Sequence, residues 1–395
     1  MTLPRISQPP TDPAFVQDPW PFYTRARALG DLVWWEEYAL PCATSHAAVN
    51  AFLRDRRFGR EMPADLRPEI PARLAPFYDL EAHSMLELDA PRHTRLRALV
   101  LRAFTSRRIR ELTPEITAIT EELLAALPEG GCDLIAHYCQ PIPVRVIARL
   151  LGVPEDMAPD LLRWSNAMVA MYQARRSRAE EDAAVAAACE FSDFLRAYVE
   201  QRRSRPADDL ITHLIAAEEK GEKLGTDELI TTCILLLNAG HEATVHSLGN
   251  AVRCLLEQQT PRAALAPDSI AATVEEILRF APPLHMFNRI AKEDAELFGH
   301  RFARGAQVAC LLASANRDPA VWSDAGRFDP ARPVVAHTSF GGGAHFCIGA
   351  PLARLEMQIA LPALFAHLPR LSLAAAPRLA DIYHFHGLEA LPVCY

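Results

Sequence analysis

The chain lacks the cysteine spacing of a disulfide or metal framework. Its nine cysteines are scattered through 395 residues, without a CxxC pair or zinc-like spacing. Such usage favours a reducing compartment over a disulfide scaffold. The first ten residues contain no hydrophobic run typical of a signal peptide or membrane anchor. We therefore expect a cytoplasmic protein without a membrane anchor.

Basic residues are also fewer than acidic residues. Lys and Arg number 41 against 49 Asp and Glu, which gives a formal net charge of −8. This balance argues against a nucleic-acid-binding protein. No repeat, low-complexity tract or linker interrupts the sequence, so we expect one domain over residues 1–395, although the length alone would allow two or three.

Apolar residues recur with helical spacing from residue 91 onward. The predicted helices are 91–104, 114–127, 140–151, 158–173, 179–203, 208–219, 226–257, 269–280 and 350–367. The segment 226–257 is long for a helix of a globular protein and is expected to be a central helix of the fold. Strands are predicted over Leu32–Tyr38 and within 289–312, and a closing hairpin over 383–393. The expected fold class is therefore mainly α with small β-sheets.

The most informative segment is Phe340–Gly349, with the pattern F-x-x-G-x-x-x-C-x-G. Its glycines allow positive φ and close approach to a flat ligand, and the segment delivers Cys347 to the start of a predicted helix. Pro351 suits the first turn of that helix, whose positive end favours a thiolate at Cys347. A thiolate held in this way is the proximal ligand that favours O–O cleavage at haem iron.

With these motifs the sequence resembles the cytochrome P-450 family, the haem-thiolate monooxygenases, from near Asp12 to Tyr395. The resemblance is to the soluble bacterial type. It implies the cytochrome P-450 fold, with a long central helix over haem b (iron protoporphyrin IX), and Cys347 as the axial ligand of the haem iron. It also implies insertion of one oxygen atom from O2 into a lipophilic small organic substrate. Since no flavin or iron–sulfur segment is present, electrons are expected from a separate ferredoxin-type donor and its reductase.

The resemblance also implies which side chains hold the haem. The expected cofactor-binding residues are His93, Arg97, Arg289, His345, Cys347, Phe340, Ala239 and Gly240. His93 and Arg97 are four residues apart and share a helix face, and with Arg289 and His345 they are expected to bind the propionates. A solvated basic face is the alternative interpretation. Arg95 falls off the shared face.

The central helix departs from the family pattern where dioxygen is expected. The family places an acid and then an alcohol here; Glu242 keeps the acid, but Ala243 replaces the alcohol. Thr244 lies about 100° further round an ideal helix, so its hydroxyl is expected to point elsewhere. Glu242, Ala243 and Thr244 are the catalytic candidates, and water or a substrate hydroxyl could supply the proton. For His241 a packing role is favoured.

Two further groups of charges have alternative interpretations. Glu276 and Arg279 share a helix face and resemble the family's buried ion pair, which Arg332 completes to brace the cysteine loop; the alternative is an ordinary surface pair. Four arginines cluster around the end of the helix predicted over 91–104 and are interpreted either as a ferredoxin-docking surface or as a solvated helix end. They are Arg102, Arg107, Arg108 and Arg110.

Ala243 leaves two other functions open. One is a peroxide-driven or non-hydroxylating haem-thiolate enzyme on the same fold, and the other is a haem sensor or binding protein without turnover. Pocket candidates could equally belong to the core, and they do not identify a substrate. They are Phe77, Tyr78, Met168, Met171, Tyr172, Leu284, His285, Met286, Phe287, Tyr383, His384 and Phe385.

Overall fold

The computed structural model describes residues 2–173, 176–219 and 222–395. Its helices are α1 Pro13–Gln17, α2 Trp20–Leu29, α3 His46–Arg54, α4 Ala75–Glu81, α5 Arg92–Ala103, α6 Ser106–Glu111, α7 Thr113–Ala125, α8 Pro141–Leu151, α9 Ala158–Val169, α10 Arg178–Ser204, α11 Leu210–Ala216, α12 Thr226–Glu257, α13 Ile270–Phe280, α14 Leu312–Ala315 and α15 Ala350–His367. Its strands are β1 Arg5–Ile6, β2 Leu32–Trp35, β3 Leu40–Ala43, β4 Phe58–Gly59, β5 Gly131–Asp133, β6 Glu218–Glu219, β7 Glu222–Lys223, β8 Met286–Ala291, β9 Ala295–Leu297, β10 His300–Phe302, β11 Gln307–Leu311, β12 Ser372–Leu373, β13 Arg378–Leu379, β14 Leu388–Ala390 and β15 Pro392–Cys394.

The long periodic segments are helices, as predicted. Helices α12 and α15 match the predicted bounds 226–257 and 350–367 residue for residue. The helix predicted over 208–219 is wrong at its end, because Ala217 leaves the helix with extended backbone and β6 follows. Among the described residues, no helix is both long and apolar enough to cross a membrane.

Two strand predictions need correction. The strand predicted over Leu32–Tyr38 ends at Trp35, and a turn over Glu36–Ala39 leads into β3. The hairpin predicted over 383–393 is wrong, because β14 pairs with β13 and β15 pairs with β5 and β12. Partners distant in the sequence therefore replace the local pairing. The strands predicted within 289–312 are confirmed as β8 to β11.

The chain divides into two compact units. The first comprises Met1–Leu66, Thr120–Gln140 and Ala243–Tyr395, and the second comprises Arg67–Ile119 and Pro141–Glu242. Two of the four boundaries along the chain fall within helices, one in α7 and one in α12. The expectation of one domain over 1–395 stays a prediction.

A six-stranded sheet organises the first unit, in the order β1-β2-β3-β11-β8-β4. Alternate side chains of β11 enter opposite faces of this sheet, as a strand requires. Ala309 and Leu311 belong to a core with Phe22 and Trp35. Val308 and Cys310 belong to a core whose other members include Phe52. Both faces of the sheet are therefore covered.

Helices dominate the second unit, where α9 packs along α10. Trp164 of α9 stacks on Phe191 of α10, with 4.9 Å between ring centroids. A capping box starts α10: the Ser177 hydroxyl accepts from the Glu180 N–H, and the Glu180 carboxylate accepts from the Ser177 N–H. This cap satisfies two amide groups at the start of a 27-residue helix.

Candidate functional site

Cys347 lies exposed on a loop that is closed by its own backbone. The N–H of Cys347 donates to the carbonyl oxygen of Phe340 over 3.0 Å, and the N–H of Gly341 donates to Thr338 O over 2.8 Å. Phe346 meets Phe340 edge to face, with 6.3 Å between centroids. The predicted motif is therefore one compact loop that presents a single thiol.

Two glycines make this path possible. Gly341 and Gly343 both have φ of +67°, which side chains rarely tolerate. A Cβ on Gly343 would lie 2.2 Å from the carbonyl oxygen of Leu53 in α3, and one on Gly341 would lie 3.6 Å from the Phe287 ring. The backbone of the loop therefore packs directly against α3 on one side and β8 on the other.

The loop passes into α15 immediately after the cysteine. Gly349 is the N-cap of this 18-residue helix, and Pro351 lies in its first turn, as predicted. A Cβ on Gly349 would lie 3.8 Å from Cys347 Sγ. Unpaired amide groups and the helix dipole make the N-terminus of a helix a favourable place for a negative charge such as a thiolate.

Arg354 anchors the loop from one turn inside α15. Its Cζ lies 4.4 Å from the ring centroid of Phe340, and its two nitrogens bond the carboxylate of Glu275 in α13. His337 Nε2 lies 3.3 Å from the same carboxylate. Burial opposes ionisation of Glu275, but Arg354 and His337 outweigh it and lower its pKa to about 2. Sequence analysis missed this anchor, because only the fold brings α13 and α15 together.

The predicted triad of Glu276, Arg279 and Arg332 is confirmed. Arg279 is bidentate on Glu276, with both bonds at 2.7 Å, and Arg332 Nε lies 3.5 Å from the same carboxylate. Glu276 and Arg279 are almost completely buried, which excludes an ordinary surface pair. Arg279 also donates to the carbonyl oxygens of Asn316 and Ala325, each over 2.9 Å.

Asn316 connects the triad to the cysteine loop. Its Oδ1 accepts from the backbone N–H of Thr338, and its Nδ2 donates to the Ser339 hydroxyl, both over 2.7 Å. Ser339 in turn donates to the carbonyl oxygen of Leu278. A continuous polar network therefore runs from Arg279 to the residue that precedes Phe340. Asn316 was not predicted, since a lone asparagine carries no sequence signal.

The predicted propionate ligands lie on several elements. In the first unit, Arg289 is on β8 and is 3% exposed, and His345 is half-buried two residues before Cys347. Arg289 is two residues after Phe287, so both side chains lie on the same face of β8, and Phe287 lies against the cysteine loop. In the second unit, α5 carries His93, which is 3% exposed, and Arg97, which is half-buried. Their burial argues against a solvated basic face.

Arg95 of α5 has a different environment. It pairs with Glu228 and lies 3.3 Å from a carboxylate oxygen of Glu222. It therefore belongs to a different face from His93 and Arg97, as predicted from helical spacing. Because its charge is paired with the carboxylates of Glu228 and Glu222, Arg95 is a suitable control for the other two.

One stripe of α12 stays open in an otherwise buried stretch. Ala239 is exposed, and Gly240, Glu242 and Ala243 are partly exposed, whereas Thr244 is only 5% exposed. Ala239 and Ala243 are four apart, so they lie one above the other. A Cβ on Gly240 would lie 3.1 Å from Ile147 in α8. The open stripe therefore carries small side chains and the carboxylate of Glu242, and Thr244 lies off it.

His241 directly precedes Glu242 and is almost completely buried. Its Nδ1 donates to the carbonyl oxygen of Leu237 over 2.8 Å, which fixes the orientation of the ring. Its Nε2 lies 3.5 Å from Oε2 of Glu242. The ring is therefore held against the one carboxylate of the open stripe.

Of the four clustered arginines, Arg102 lies in the last turn of α5, and Arg107, Arg108 and Arg110 lie in α6. Arg107 pairs with Glu111 and Arg108 pairs with Asp208, each at 2.8 Å. Arg102 and Arg110 are exposed. The cluster remains a basic surface, weaker than the sequence alone indicates.

Six of the twelve pocket candidates are buried, namely Phe77, Met168, Met171, His285, Met286 and Tyr383. Met286 and Tyr383 belong to the core that contains Phe22 and Trp35. His285 is completely buried and lies 2.8 Å from the Tyr23 hydroxyl through its Nδ1. These side chains support the sheet and the N-terminal helices. Within residues 2–173, 176–219 and 222–395, no group of three or more His, Cys, Asp or Glu could hold a metal ion.

Comparisons with known proteins agree with this loop and fold. A sequence profile of the family described as cytochrome P-450 matches residues 270–371. The chain is 38% identical over 398 residues to vitamin D(3) 25-hydroxylase of Pseudonocardia autotrophica, covering 96% of this chain and 94% of that protein. It is 39% identical over 354 residues to the polyketide biosynthesis cytochrome P-450 PksS of Bacillus subtilis (strain 168), covering 87% of this chain and 86% of that protein.

The fold is similar to solved structures over nearly the whole chain. One is P-450BioI in complex with hexadec-9Z-enoic acid ligated acyl carrier protein. The TM-score to it is 0.91 at 34% identity, with 97% of this chain and 100% of that chain covered. The predicted mainly helical fold with small sheets is therefore confirmed.

Proposed function

This chain belongs to the cytochrome P-450 family and is a cytochrome P-450 monooxygenase, and on that premise we propose that Cys347 is the axial ligand of haem b. The observation that carries the proposal is an exposed thiol, held by a closed glycine loop at the N-terminus of α15. Porphyrin supplies four nitrogen ligands, so the protein needs only one strong donor. The exposed thiol of Cys347 can supply that donor.

Several residues fit a flat dianionic group. The glycines let the loop pack closely on α3 and β8 while Cys347 stays exposed, and Phe340 and Phe346 supply aromatic surface in the same loop. His93, Arg97, Arg289 and His345 are the residues proposed to bind the propionates. Ala239 and Gly240 supply the small surface that a ring or dioxygen requires. A guanidinium donates charge-assisted hydrogen bonds to carboxylates, which is the chemistry that a propionate requires.

When bound, the haem supplies the oxygen-activating chemistry, with the thiolate donating electron density to the iron. The residues of the protein position the thiol and are candidates for proton supply. The network from Arg279 through Asn316 holds the loop, so the thiol of Cys347 stays in one position. Glu242 is the acid directly before Ala243, the position at which the family has an alcohol. Ala243 contributes no proton, so Glu242, water or a hydroxyl of the ligand must do so; Thr244 remains a candidate only if its hydroxyl reaches the same side.

The substrate is proposed to be a lipophilic small molecule that enters beside the open stripe. Carrier-bound acyl chains deserve inclusion in a screen, because the similar P-450BioI was solved with an acyl carrier protein. A screen of free acids, steroids and acyl carrier conjugates by shift of the Soret band would rank these classes. A cytoplasmic location stays a prediction.

A ferredoxin-type protein with its reductase is the proposed electron donor. The basic surface of Arg102 and Arg110 would steer a small acidic protein. The rate of reduction by a ferredoxin should fall as ionic strength rises, and Arg102→Glu with Arg110→Glu should lower it further. A rate that is insensitive to salt and to both substitutions would refute docking at this surface.

The experiment that tests the function is the spectrum of the reduced, carbon-monoxide-bound holoenzyme. Thiolate ligation should give its strongly red-shifted Soret band, and Cys347→Ala should abolish it. Cys189→Ala is the matched control, since this second exposed cysteine lies on α10. If Cys347→Ala keeps the band, another residue is the ligand. Gas binding without electron-dependent product formation would favour a sensor instead.

A further inference from the structure

The imidazole ring of His337 lies beside the backbone that leads into the cysteine loop. Its Nδ1 accepts a hydrogen bond from the backbone N–H of Ser339 over 3.2 Å. Its Nε2 lies 3.3 Å from Oε2 of Glu275, without the alignment of a hydrogen bond. The ring centroid is 5.9 Å from that of Phe340. His337 therefore contacts both the start of the loop and the carboxylate that Arg354 binds.

The bond from Ser339 decides which ring nitrogen carries the hydrogen. A backbone N–H can only donate, so Nδ1 of His337 presents its lone pair. The hydrogen of the neutral ring is then on Nε2, on the side of the Glu275 carboxylate. An imidazolium has hydrogens on both nitrogens and could not accept from Ser339. The bond therefore requires the neutral ring.

The charges around the ring are compatible with its neutral form. A carboxylate without another partner would favour an imidazolium beside it. The carboxylate of Glu275, however, already forms two bonds with Arg354 of α15. The other carboxylate of α13, that of Glu276, is bound by Arg279. Arginines therefore balance both acids of α13, and neither needs a second positive charge from the ring.

The two amide groups that precede Phe340 are each held by a side chain. The N–H of Thr338 donates to Asn316 over 2.7 Å, and the N–H of Ser339 donates to His337. Thr338 and Ser339 are almost completely buried. A buried amide that loses its acceptor has no water nearby to replace it, which is costly. Loss of the acceptor on His337 should therefore let the backbone before Phe340 move.

We propose that His337 is a positioning residue for the thiolate of Cys347, and that it acts by accepting the N–H of Ser339 with its neutral ring. The inference rests on the proposed function, in which Cys347 binds the haem iron. The next residue after Ser339 is Phe340, whose carbonyl oxygen accepts the N–H of Cys347 over 3.0 Å. His337 therefore acts on the sulfur through the backbone that carries this carbonyl group.

Two substitutions separate the two contacts of the ring. In His337→Asn, Oδ1 takes the place of Nδ1, and asparagine readily accepts the N–H two residues further on, as in an Asx-turn. In His337→Gln, the longer amide takes the place of Nε2 and can reach Glu275, but the acceptor for Ser339 is lost. If the bond to Ser339 positions the loop, the asparagine should restore it and the glutamine should not.

The first experiment measures how fast the reduced, carbon-monoxide-bound holoenzyme loses its red-shifted Soret band, in urea below the unfolding transition. His337→Gln should lose the band at least about fivefold faster than wild type, as the loss of one buried hydrogen bond implies. His337→Asn should stay within about twofold of wild type. The control is His213→Gln, whose exposed ring lies 2.9 Å from Asp208 and should not matter. Equal rates for the two variants at 337, or faster loss in His337→Asn, would overturn the proposal.

The second experiment measures hydrogen exchange at the N–H of Ser339 in the holoenzyme. This amide should be protected in wild type and in His337→Asn, and it should exchange faster in His337→Gln. Exchange in wild type as fast as that of an exposed loop amide would refute the proposal, even if His337→Gln did not fold. A wild-type protein that protects this amide but lacks the red-shifted band would instead refute Cys347 as the ligand, so the two failures are distinguishable.

Discussion

The guanidinium of Arg354 lies on the ring of Phe340, the first residue of the cysteine loop, with Cζ 4.4 Å from the ring centroid. The same guanidinium forms two bonds to Glu275. Arg354 therefore fixes the loop to α13 and α15 at once. A cation placed over an aromatic ring contributes about 0.5–2 kcal/mol, and the two bonds to the Glu275 carboxylate restrain the guanidinium there.

Replacement of this planar group should loosen the loop. In Arg354→Lys the charge remains, but the stack and the bidentate pair are lost. We expect haem to transfer to apomyoglobin at least about threefold faster than from wild type, consistent with that energy range. Arg378→Lys, at an exposed pair 3.7 Å from Glu389, is the control. Equal transfer rates in all three proteins would contradict a role for Arg354 in holding the loop.

The buried triad should dominate stability. Glu276→Gln leaves the buried charge of Arg279 without its carboxylate, which costs about 3–5 kcal/mol in the free energy of unfolding. Urea unfolding of the holoenzyme measures this loss. Arg378→Ala removes an exposed arginine and should change stability by less than about 0.5 kcal/mol. A loss below about 1 kcal/mol for Glu276→Gln would mean that the triad does not control stability.

If Arg97 binds a haem propionate and Arg95 does not, substitutions at these two positions of α5 should have different effects on haem affinity. Arg97→Leu should weaken haem binding, because a charge-assisted hydrogen bond to a carboxylate contributes about 1.5–3 kcal/mol. Arg95→Leu, on the same helix but paired with Glu228, should leave haem affinity unchanged. Arg289→Lys should weaken affinity less than Arg289→Leu. Haem titration of the apoproteins measures all four variants, and indistinguishable affinities for Arg97→Leu and Arg95→Leu would exclude Arg97 as a ligand.

Mild acid should destabilise the protein through buried histidines. Burial lowers the pKa of His384 to about 4 and that of His386 to about 3, against about 6.5 in the unfolded chain. The unfolded state therefore binds more protons below pH 6.5, and stability falls as the pH decreases towards the folded pKa. Each histidine contributes about 1.4 kcal/mol per pH unit in this range.

Urea unfolding between pH 7 and pH 5 tests this slope. Glu275 does not contribute there, because its pKa of about 2 leaves it ionised in the folded protein. His386→Gln should reduce the slope, whereas His213→Gln, at an exposed site, should not. Stability that stays constant across this range would show that the buried histidines are already protonated or reach solvent.

Restoration of an alcohol at position 243 should make the coupling of electron use to product formation depend less on which ligand is bound. In wild type, a ligand with a well-placed hydroxyl should couple electron use to product better than the matching hydrocarbon, which should release peroxide. Ala243→Thr should narrow that difference, and Ala243→Val controls for the added volume. Product and peroxide per electron are measured for both ligands. Equal coupling for both in wild type, together with its loss in Thr244→Ala, would identify Thr244 as the donor.

Local patterns predicted the parts of the site that depend on local spacing. Helices α12 and α15 follow from apolar periodicity, and the thiol of Cys347 follows from the motif around it. The placement of Thr244 off the open stripe follows from about 100° per residue. These features need no knowledge of distant partners, which is why the sequence alone was sufficient.

The parts that could not be predicted depend on chain segments far apart. The supposed hairpin over 383–393 contains strand residues, but their partners are β5, β12 and β13. Asn316 and Glu275 are unremarkable in the sequence and acquire their roles only beside Thr338 and Arg354. The short helix α3 likewise matters because its Leu53 carbonyl meets the loop. Tertiary contacts, which propensity does not encode, decide each case.

Gly343 and Gly240 differ in whether a change in a neighbouring residue could make room for a side chain during evolution. A side chain at 343 would meet the main-chain oxygen of Leu53 at 2.2 Å, and every residue type at 53 has that oxygen. No second mutation at 53 can therefore compensate. At 240 the obstacle is the side chain of Ile147, and Ile147→Ala would remove the atoms concerned. The first glycine is thus fixed on its own, whereas the second can covary with its neighbour.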